Sequence, residues 1–218
     1  MPNKPISKQT LARLPLYLNY LKSYLNSGQD TVSATCIAET LGLNQVQVRK
    51  DLACVSCGGR PKVGYVTNRL IDDIELFLGY GDVHSAVIVG AGKLGQALIS
   101  YDQFKSYGLE IVAAFDTDAA IIGKQIGGKE VISAEKIQHL CRRMQVKIGI
   151  ITVPASAAQQ VCDALIAGGI LAVWNFAPVH LNVPEGILVQ QENMALSLAV
   201  LSKHLNNQLA SAHVNQSV

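Results

Sequence analysis

The sequence predicts an α/β chain of two folded units, a winged helix-turn-helix unit over residues 1–80 and a doubly wound parallel sheet of the Rossmann type over 81–191, followed by a C-terminal helix and tail over 192–218. Three observations carry that expectation. An apolar helical pattern (Leu70, Ile71, Ile74, Leu76, Phe77, Leu78) is broken by the turn-forming run Gly79-Tyr80-Gly81-Asp82. Beyond the break, short runs of Val, Ile and Ala alternate with helical stretches, as in parallel strands covered on both faces. Finally, Gly90-Ala91-Gly92-Lys93-Leu94-Gly95 stands where the first of those strands passes into the first helix.

Composition bounds the function. The 218 residues are 49% apolar and 16% charged, enough to build a core, which excludes a wholly disordered chain. No apolar run approaches the ~20 residues a membrane span requires, and Met1-Pro2-Asn3-Lys4 leads into no signal-peptide core. Five scattered cysteines suit a reducing compartment. A cytoplasmic protein without a membrane partner is expected. The net charge of +2 hides an asymmetry: nine Lys and Arg face three acids between Lys4 and Arg69, whereas nine face ten from Gly81 onward. A basic front suits a polyanion, although an ordinary solvated face gives the same count.

In chain order, the apolar residues Leu14, Leu16, Tyr17, Leu18, Tyr20, Leu21, Tyr24 and Leu25 predict a long first helix, with Pro15 tolerable only near its start and Gly28 ending it. Ser33 can cap a second helix through Leu41; Gly42 stops it, and Asn44 can cap a third from Gln45 to about residue 54. The close approach of those two helices across Gly42 is a helix-turn-helix. Residues 58–65 read as a glycine-rich wing between short strands. After the break the expected elements are strands at 86–90, 110–116, 146–152 and 170–174, and helices at 93–104, 131–144 and 155–167.

The G-x-G-x-x-G run follows a strand and opens a helix, and Asp116 lies 21 residues beyond Gly95 at the end of the next strand. Glycines permit the turn and the backbone's approach to a pyrophosphate. The acid would accept from ribose hydroxyls and repel a 2′-phosphate, so NAD(H) is favoured over its phosphorylated form. On the third helix, Val46, Val48 and Leu52 are expected to anchor while Gln45, Gln47, Arg49 and Lys50 project outward; amides and guanidinium read base edges, and lysine meets phosphate. Arg60 and Lys62 make the wing basic. Cys54-Val55-Ser56-Cys57 lacks the second ligand pair of a zinc site, so free thiols are expected. The five histidines are dispersed, and no catalytic residue is assigned. Residues 81–218 leave little room for a substrate domain. The alternatives are an NAD-dependent oxidoreductase with an added helical unit, and a non-redox nucleotide sensor.

The ordered motifs Arg13-Leu14-Pro15-Leu16-Tyr17, Gln47-Val48-Arg49-Lys50-Asp51-Leu52, Gly64-Tyr65, Gly90 to Gly95 with Tyr101, Phe115-Asp116-Thr117-Asp118, Thr152-Val153-Pro154-Ala155 and Asn175-Phe176-Ala177-Pro178 resemble the redox-sensing repressor family Rex over about residues 7–204. The resemblance implies a homodimer whose winged helix binds double-stranded operator DNA and whose Rossmann unit senses NADH against NAD⁺, NADH releasing the DNA. It implies that Gly90, Ala91, Gly92, Lys93, Leu94, Gly95 and Asp116 hold the adenosine half, that Tyr101 and Asn175, Phe176, Ala177 and Pro178 lie near the nicotinamide, and that Pro154 also binds the cofactor. Arg49, Lys50 and Lys62 would meet DNA, with Arg13, Gln45, Gln47 and Arg60 beside them. It also implies a C-terminal helix swapped between subunits, matched here by residues 193–205. Two features depart from the family pattern. Residues 53–57 replace an aromatic- and glycine-rich stretch. An arginine and an aspartate tied to the redox response in many members fall on Asn19 and Asn193, next to Met194.

Overall fold

The structure, a computed structural model, describes residues 6–60 and 63–215. The chain divides after Asp82 into two compact units.

In the first unit α1 (Lys8–Asn26) is capped by Ser7, whose hydroxyl accepts from the Thr10 N–H, and it buries Leu14, Tyr17, Leu18 and Leu21 on one face. Pro15 sits two turns inside this helix rather than near its start. The buried residues on either side carry the helix past the missing N–H. Next come β1 (Thr31–Val32), α2 (Ala34–Leu41) and α3 (Gln45–Val55), followed by β2 (Tyr65–Val66) and α4 (Thr67–Leu78). Ser33 caps α2, Gly42 closes it at φ +64°, and Asn44 caps α3 through bonds from the Val46 and Gln47 N–H groups. Leu14, Tyr17 and Leu21 of α1, Ile37 of α2, Val48 and Leu52 of α3, and Leu70 and Ile74 of α4 share one core.

The wing is thinner than expected. Among the described residues its hairpin shows one bridge, between Arg60 and Gly64, and β2 pairs antiparallel with β1, which precedes the helix-turn-helix. Three glycines and a proline in 58–64 leave little strand-forming sequence.

The second unit runs β3 (His84–Val89), α5 (Lys93–Ile99), β4 (Leu109–Asp116), β5 (Gln125–Ile126), β6 (Lys129–Ser133), α6 (Ile137–Met144), β7 (Ile148–Ile151), α7 (Ala155–Ala167), β8 (Ala172–Asn175), β9 (Leu188–Gln191) and α8 (Met194–Asn215). The sheet order is β5-β6-β4-β3-β7-β8-β9, parallel except for β5 against β6. The order reverses at β3, which opens a crevice at its carboxyl end. Both faces are covered: Val87, Val89 and Phe115 pack with Ile137, Cys141, Cys162 and Leu165 of α6 and α7, while Ala86, Ile88 and Ile150 pack with Ile99 of α5. An irregularity in the pairing between Ala86 and Val87 skips Val112, so Ile111 and Ala113 face opposite sides despite their spacing.

Several expected boundaries move. The helix expected over 93–104 stops at Ile99 and resumes as a 3₁₀ turn at Asp102–Tyr107, because Ser100 and Asp102 support a helix interior poorly. The helix expected from 131 starts at Ile137; the β-branched Val131 and Ile132 instead form β6 beside β4. The β5–β6 hairpin and the edge strand β9, which is exposed throughout and lacks apolar alternation, have no expected counterpart. The final helix extends past 205 to Asn215.

Candidate functional site

The crevice forms where β3 and β7 end side by side. Gly90 takes φ +98°, and a Cβ there would lie 2.9 Å from the Thr152 carbonyl and hydroxyl. The Thr152 hydroxyl donates to the Gly90 carbonyl at 2.7 Å, and the Thr152 N–H donates to the Val89 carbonyl at 2.9 Å, locking the turn to β7. A Cβ on Gly95 would sit 1.9 Å from the Gly90 oxygen, so the start of α5 packs directly on the turn. Gly92 is different: its φ is −69°, and a Cβ there would meet nothing within 4 Å. No side chain caps the first turn of α5, where Lys93 is exposed and Leu94 half-buried.

Asp116 ends β4 facing this turn. Its Oδ2 accepts from the Ala91 N–H at 2.6 Å, and its Oδ1 accepts from the Thr117 and Asp118 N–H groups at 2.7 and 2.9 Å. The carboxylate thus ties the two strand ends together while retaining lone pairs for a further donor. Gly90, Gly92, Asp116, Thr152 and Pro154 line a cavity of about 210 Å³.

Beyond it, Tyr101 is 45% exposed and begins an aromatic row. Its ring meets Phe104 edge-on at 4.9 Å, Phe104 meets Trp174 at 5.7 Å, and Trp174 meets Phe176 at 4.9 Å. Of the loop after β8, Phe176 is half-buried and Pro178 exposed, whereas Ala177 and Asn175 are buried. Asn175 spends its polar atoms inside the loop, donating to the Val179 carbonyl (3.0 Å) and Gln191 Oε1 (2.7 Å) and accepting from the Ala177 N–H (3.0 Å). It shapes the loop and does not project from it. Phe176, Pro178, Gln191, Glu192 and Met194 line a second cavity of about 550 Å³. Asn193 caps α8, its Oδ1 accepting from the Leu196 N–H at 2.9 Å. Asn19 is exposed on α1.

In the first unit, α3 exposes Gln47, Arg49 and Lys50. Val46, expected to anchor, is 58% exposed. Its place on the buried face is taken by Asp51, 1% exposed beside Val48 and Leu52, because burial follows the 48, 51, 52 helical spacing. Asp51 accepts from Arg13 Nε (2.7 Å) and Nη2 (3.0 Å), from the Tyr17 hydroxyl (2.7 Å) and from Gln47 Nε2 (2.9 Å). Arg13, expected among the DNA contacts, is therefore committed to an internal fork that ties α1 to α3. Burial pushes the Asp51 carboxyl up, but the bonds from Arg13, Tyr17 and Gln47 outweigh it and hold the group below its ordinary range. The bond to Asp51 raises Arg13, and burial, followed by the bond to Asp51, pushes the Tyr17 phenol up to about 12.

Gln45 is half-buried, its amide donating to the Thr35 hydroxyl. Arg49 and Arg60 line one depression of about 450 Å³ with Ser33, Thr35, Gly64 and Tyr65. Lys62 lies outside the described residues. Cys54 and Cys57 are exposed, and no cluster of three or more His, Cys, Asp or Glu capable of holding a metal occurs among the described residues.

A family profile described as "CoA binding domain" matches residues 82–179, and one described as "Putative DNA-binding protein N-terminus" matches residues 5–53. The redox-sensing transcriptional repressor Rex of Bacteroides thetaiotaomicron is 39% identical over 92% of this chain and 91% of its own. That of Porphyromonas gingivalis is 40% identical over 93% of each. The chain belongs to the Rex family of redox-sensing transcriptional repressors. Among solved structures, RSP in complex with beta-NAD⁺ and operator DNA superimposes with a TM-score of 0.89 at 30% identity over 97% of this chain and 98% of that one. RSP in complex with beta-NADH does so at 0.86 and 29%, over 97% and 99%. Membership in a repressor family sets the oxidoreductase alternative aside.

Three features of this Rex chain escaped sequence reasoning. Thr152 stands in the Thr152-Val153-Pro154-Ala155 motif, but its hydroxyl bond to the glycine turn follows only from its place at the end of the neighbouring strand. The buried role of Asp51 was available from helical spacing. The aromatic row draws on residues 101, 104, 174 and 176, which become neighbours only when β8 stands beside β7 and the 3₁₀ turn closes over them.

Proposed function

We propose that this Rex-family chain acts in the cytoplasm as a homodimer that binds double-stranded operator DNA through its winged helices, and that NADH in the Rossmann crevice releases the DNA while NAD⁺ permits binding. The observation that carries the nucleotide half is Gly92. Gly90 and Gly95 are required by the fold itself, whereas the space beside Gly92 is used by nothing among the described residues, and a pyrophosphate approaching the backbone accounts for it.

In this reading the N–H groups of the uncapped first turn of α5 face the phosphates, and Asp116 uses its remaining lone pairs on the ribose hydroxyls. When bound, the dinucleotide supplies a ring that is neutral in NADH and cationic in NAD⁺. Tyr101, Phe104, Trp174 and Phe176 offer that ring an apolar surface, where a desolvated cation is costly. Differential affinity then shifts the equilibrium between two arrangements of the dimer, and a near-complete switch needs roughly 5.5 kcal/mol between them. Arg49 and Arg60 with Lys50 present the basic surface to DNA. The exposed apolar residues of α8, Met194, Leu198, Leu201 and Leu205, are the stripe a second copy covers. No helix among the described residues is long and apolar enough to cross a membrane.

The test is a gel shift on a palindromic duplex with NADH and NAD⁺ titrated separately at stated salt. NADH should release the duplex at concentrations where NAD⁺ does not. Equal retention with either nucleotide would leave a constitutive binder and overturn the sensing reading.

A further inference from the structure

Gln47 differs from the other exposed polar residues of α3 in having one end already committed. Asp51, one turn further on, is almost completely buried, and its two carboxylate oxygens take four donors: two from Arg13, one from Tyr17 and one from the Gln47 amide at 2.9 Å. An ionised carboxylate only accepts. Turning the Gln47 amide over would place its oxygen against Asp51 Oδ1 at hydrogen-bond distance, a repulsive contact. Asp51 thereby removes the usual ambiguity of a glutamine amide: the NH₂ group is held against the carboxylate, and on this exposed residue Oε1 and the second N–H have no partner among the described residues and are left for an outside group.

That polarity selects among bases. In the major groove only adenine N6 and cytosine N4 offer donors to an outward oxygen, and of the two only adenine also offers an acceptor, N7, beside its donor. Gln47 lies in the first turn of α3, the part of a recognition helix that meets base edges. The ring of bonds around Asp51 holds the side chain ready, so little rotamer freedom is left to lose on binding.

We propose that Gln47, oriented by Asp51, reads one adenine in each operator half-site, with Asp51 as the positioning residue that makes this glutamine an acceptor-first reader and with Arg13 and Tyr17 holding Asp51 in place. The inference rests on the reading of α3 as the DNA-reading helix given above.

The test begins with the full-length protein and duplexes selected from a randomised library. Each base pair of the selected half-site is then changed in turn, and affinities are read by fluorescence anisotropy at one fixed salt concentration. In Gln47→Met, discrimination at one A·T pair should fall from about tenfold to a hundredfold to less than about threefold, with preferences elsewhere unchanged. Replacing that adenine by purine, which lacks the N6 amino group, should weaken the parent by a similar factor and leave Gln47→Met indifferent. In Asp51→Asn, whose amide can donate to Gln47, the preference at that same pair should relax toward a base that presents an acceptor. A uniform loss over all sequences in that variant would instead show Asp51 to be merely structural. Should Asp51→Asn not fold, the Gln47→Met and purine arms decide alone. Retention of every preference by Gln47→Met, or indifference of the parent to purine, overturns the proposal. If no duplex is enriched, or Arg49→Ala binds as tightly as the parent, the DNA-reading role of α3 fails instead.

Discussion

A methyl group added at Gly95 would lie 1.9 Å from the Gly90 carbonyl oxygen, while one added at Gly92 would meet nothing within 4 Å. The two positions should therefore separate folding from binding. Gly95→Ala must push α5 off the turn and is expected to cost the second unit about 2 kcal/mol or more, the scale of overpacking in a close-packed interior. Gly92→Trp should melt with the parent, lose NADH binding as followed by nucleotide fluorescence, and leave operator binding insensitive to NADH. If Gly92→Trp bound NADH normally, the open space would have another use. In the first unit, Tyr17 supplies a pH test. Its phenol is raised to about 12, chiefly by burial, against an ordinary tyrosine near 10. A raised folded-state value means that stability is complete below about pH 10 and is lost as pH climbs toward 12, because the unfolded chain releases the proton first. Burial also raises Tyr20 and Tyr65, so the signature is the difference from Tyr17→Phe. Thermal melts across that window should fall less steeply in the variant, and identical slopes would show that Tyr17 is not held buried and protonated in solution.

At the level of elements, α3 and α8 carry the two halves of the proposed switch. Arg49→Ala, on an exposed part of α3, should weaken operator binding at least tenfold and spare NADH; operator affinity equal to the parent's would refute the assignment. At α8 the structure explains why asparagine is tolerated at 193: it caps the helix, which aspartate does equally well. Asn193→Asp should thus fold normally, and combined with Asn19→Arg it restores the charge pair that the family resemblance places at these positions. If that pair contributes about 1–3 kcal/mol of coupling, the NADH over NAD⁺ preference in operator release should widen by at least fivefold in the double variant, and an unchanged ratio would show that other contacts set it. What was legible in the sequence also divides by element. The glycine turn, the caps Ser33 and Asn44, and α7, expected over 155–167 and found at Ala155–Ala167, announce themselves through local chemistry. β9 and β1 do not, since a four-residue exposed edge and a two-residue pair owe their existence to partners distant in the chain. For the same reason a sequence shows that Asn175 and Arg13 are polar, not that Val179 and Gln191 engage the one and Asp51 the other.

For the whole molecule, the decisive quantity is how sensing in one unit reaches the other. Leu198, Leu201 and Leu205, all more than half exposed, belong to a helix of 22 residues that nothing among the described residues covers along Met194–Leu209. An apolar surface of that length is costly in water, at roughly 25 cal/mol for each Å², and a closed two-fold assembly covers it from both chains at once. The helix leaves the sheet immediately after Glu192, whose carboxylate accepts from the Trp174 indole at 2.9 Å, so its root touches the aromatic row proposed for the nicotinamide. Loss of this helix should therefore separate two properties from a third. A chain ended after Glu192 is expected to sediment as a monomer and to lose at least a hundredfold in operator affinity, because a single winged helix meets only one half-site. It should still bind NADH, since the turn at Gly90 to Gly95 and Asp116 is complete without it. A truncated chain that remained dimeric, or that still released DNA in response to NADH, would place the coupling outside α8.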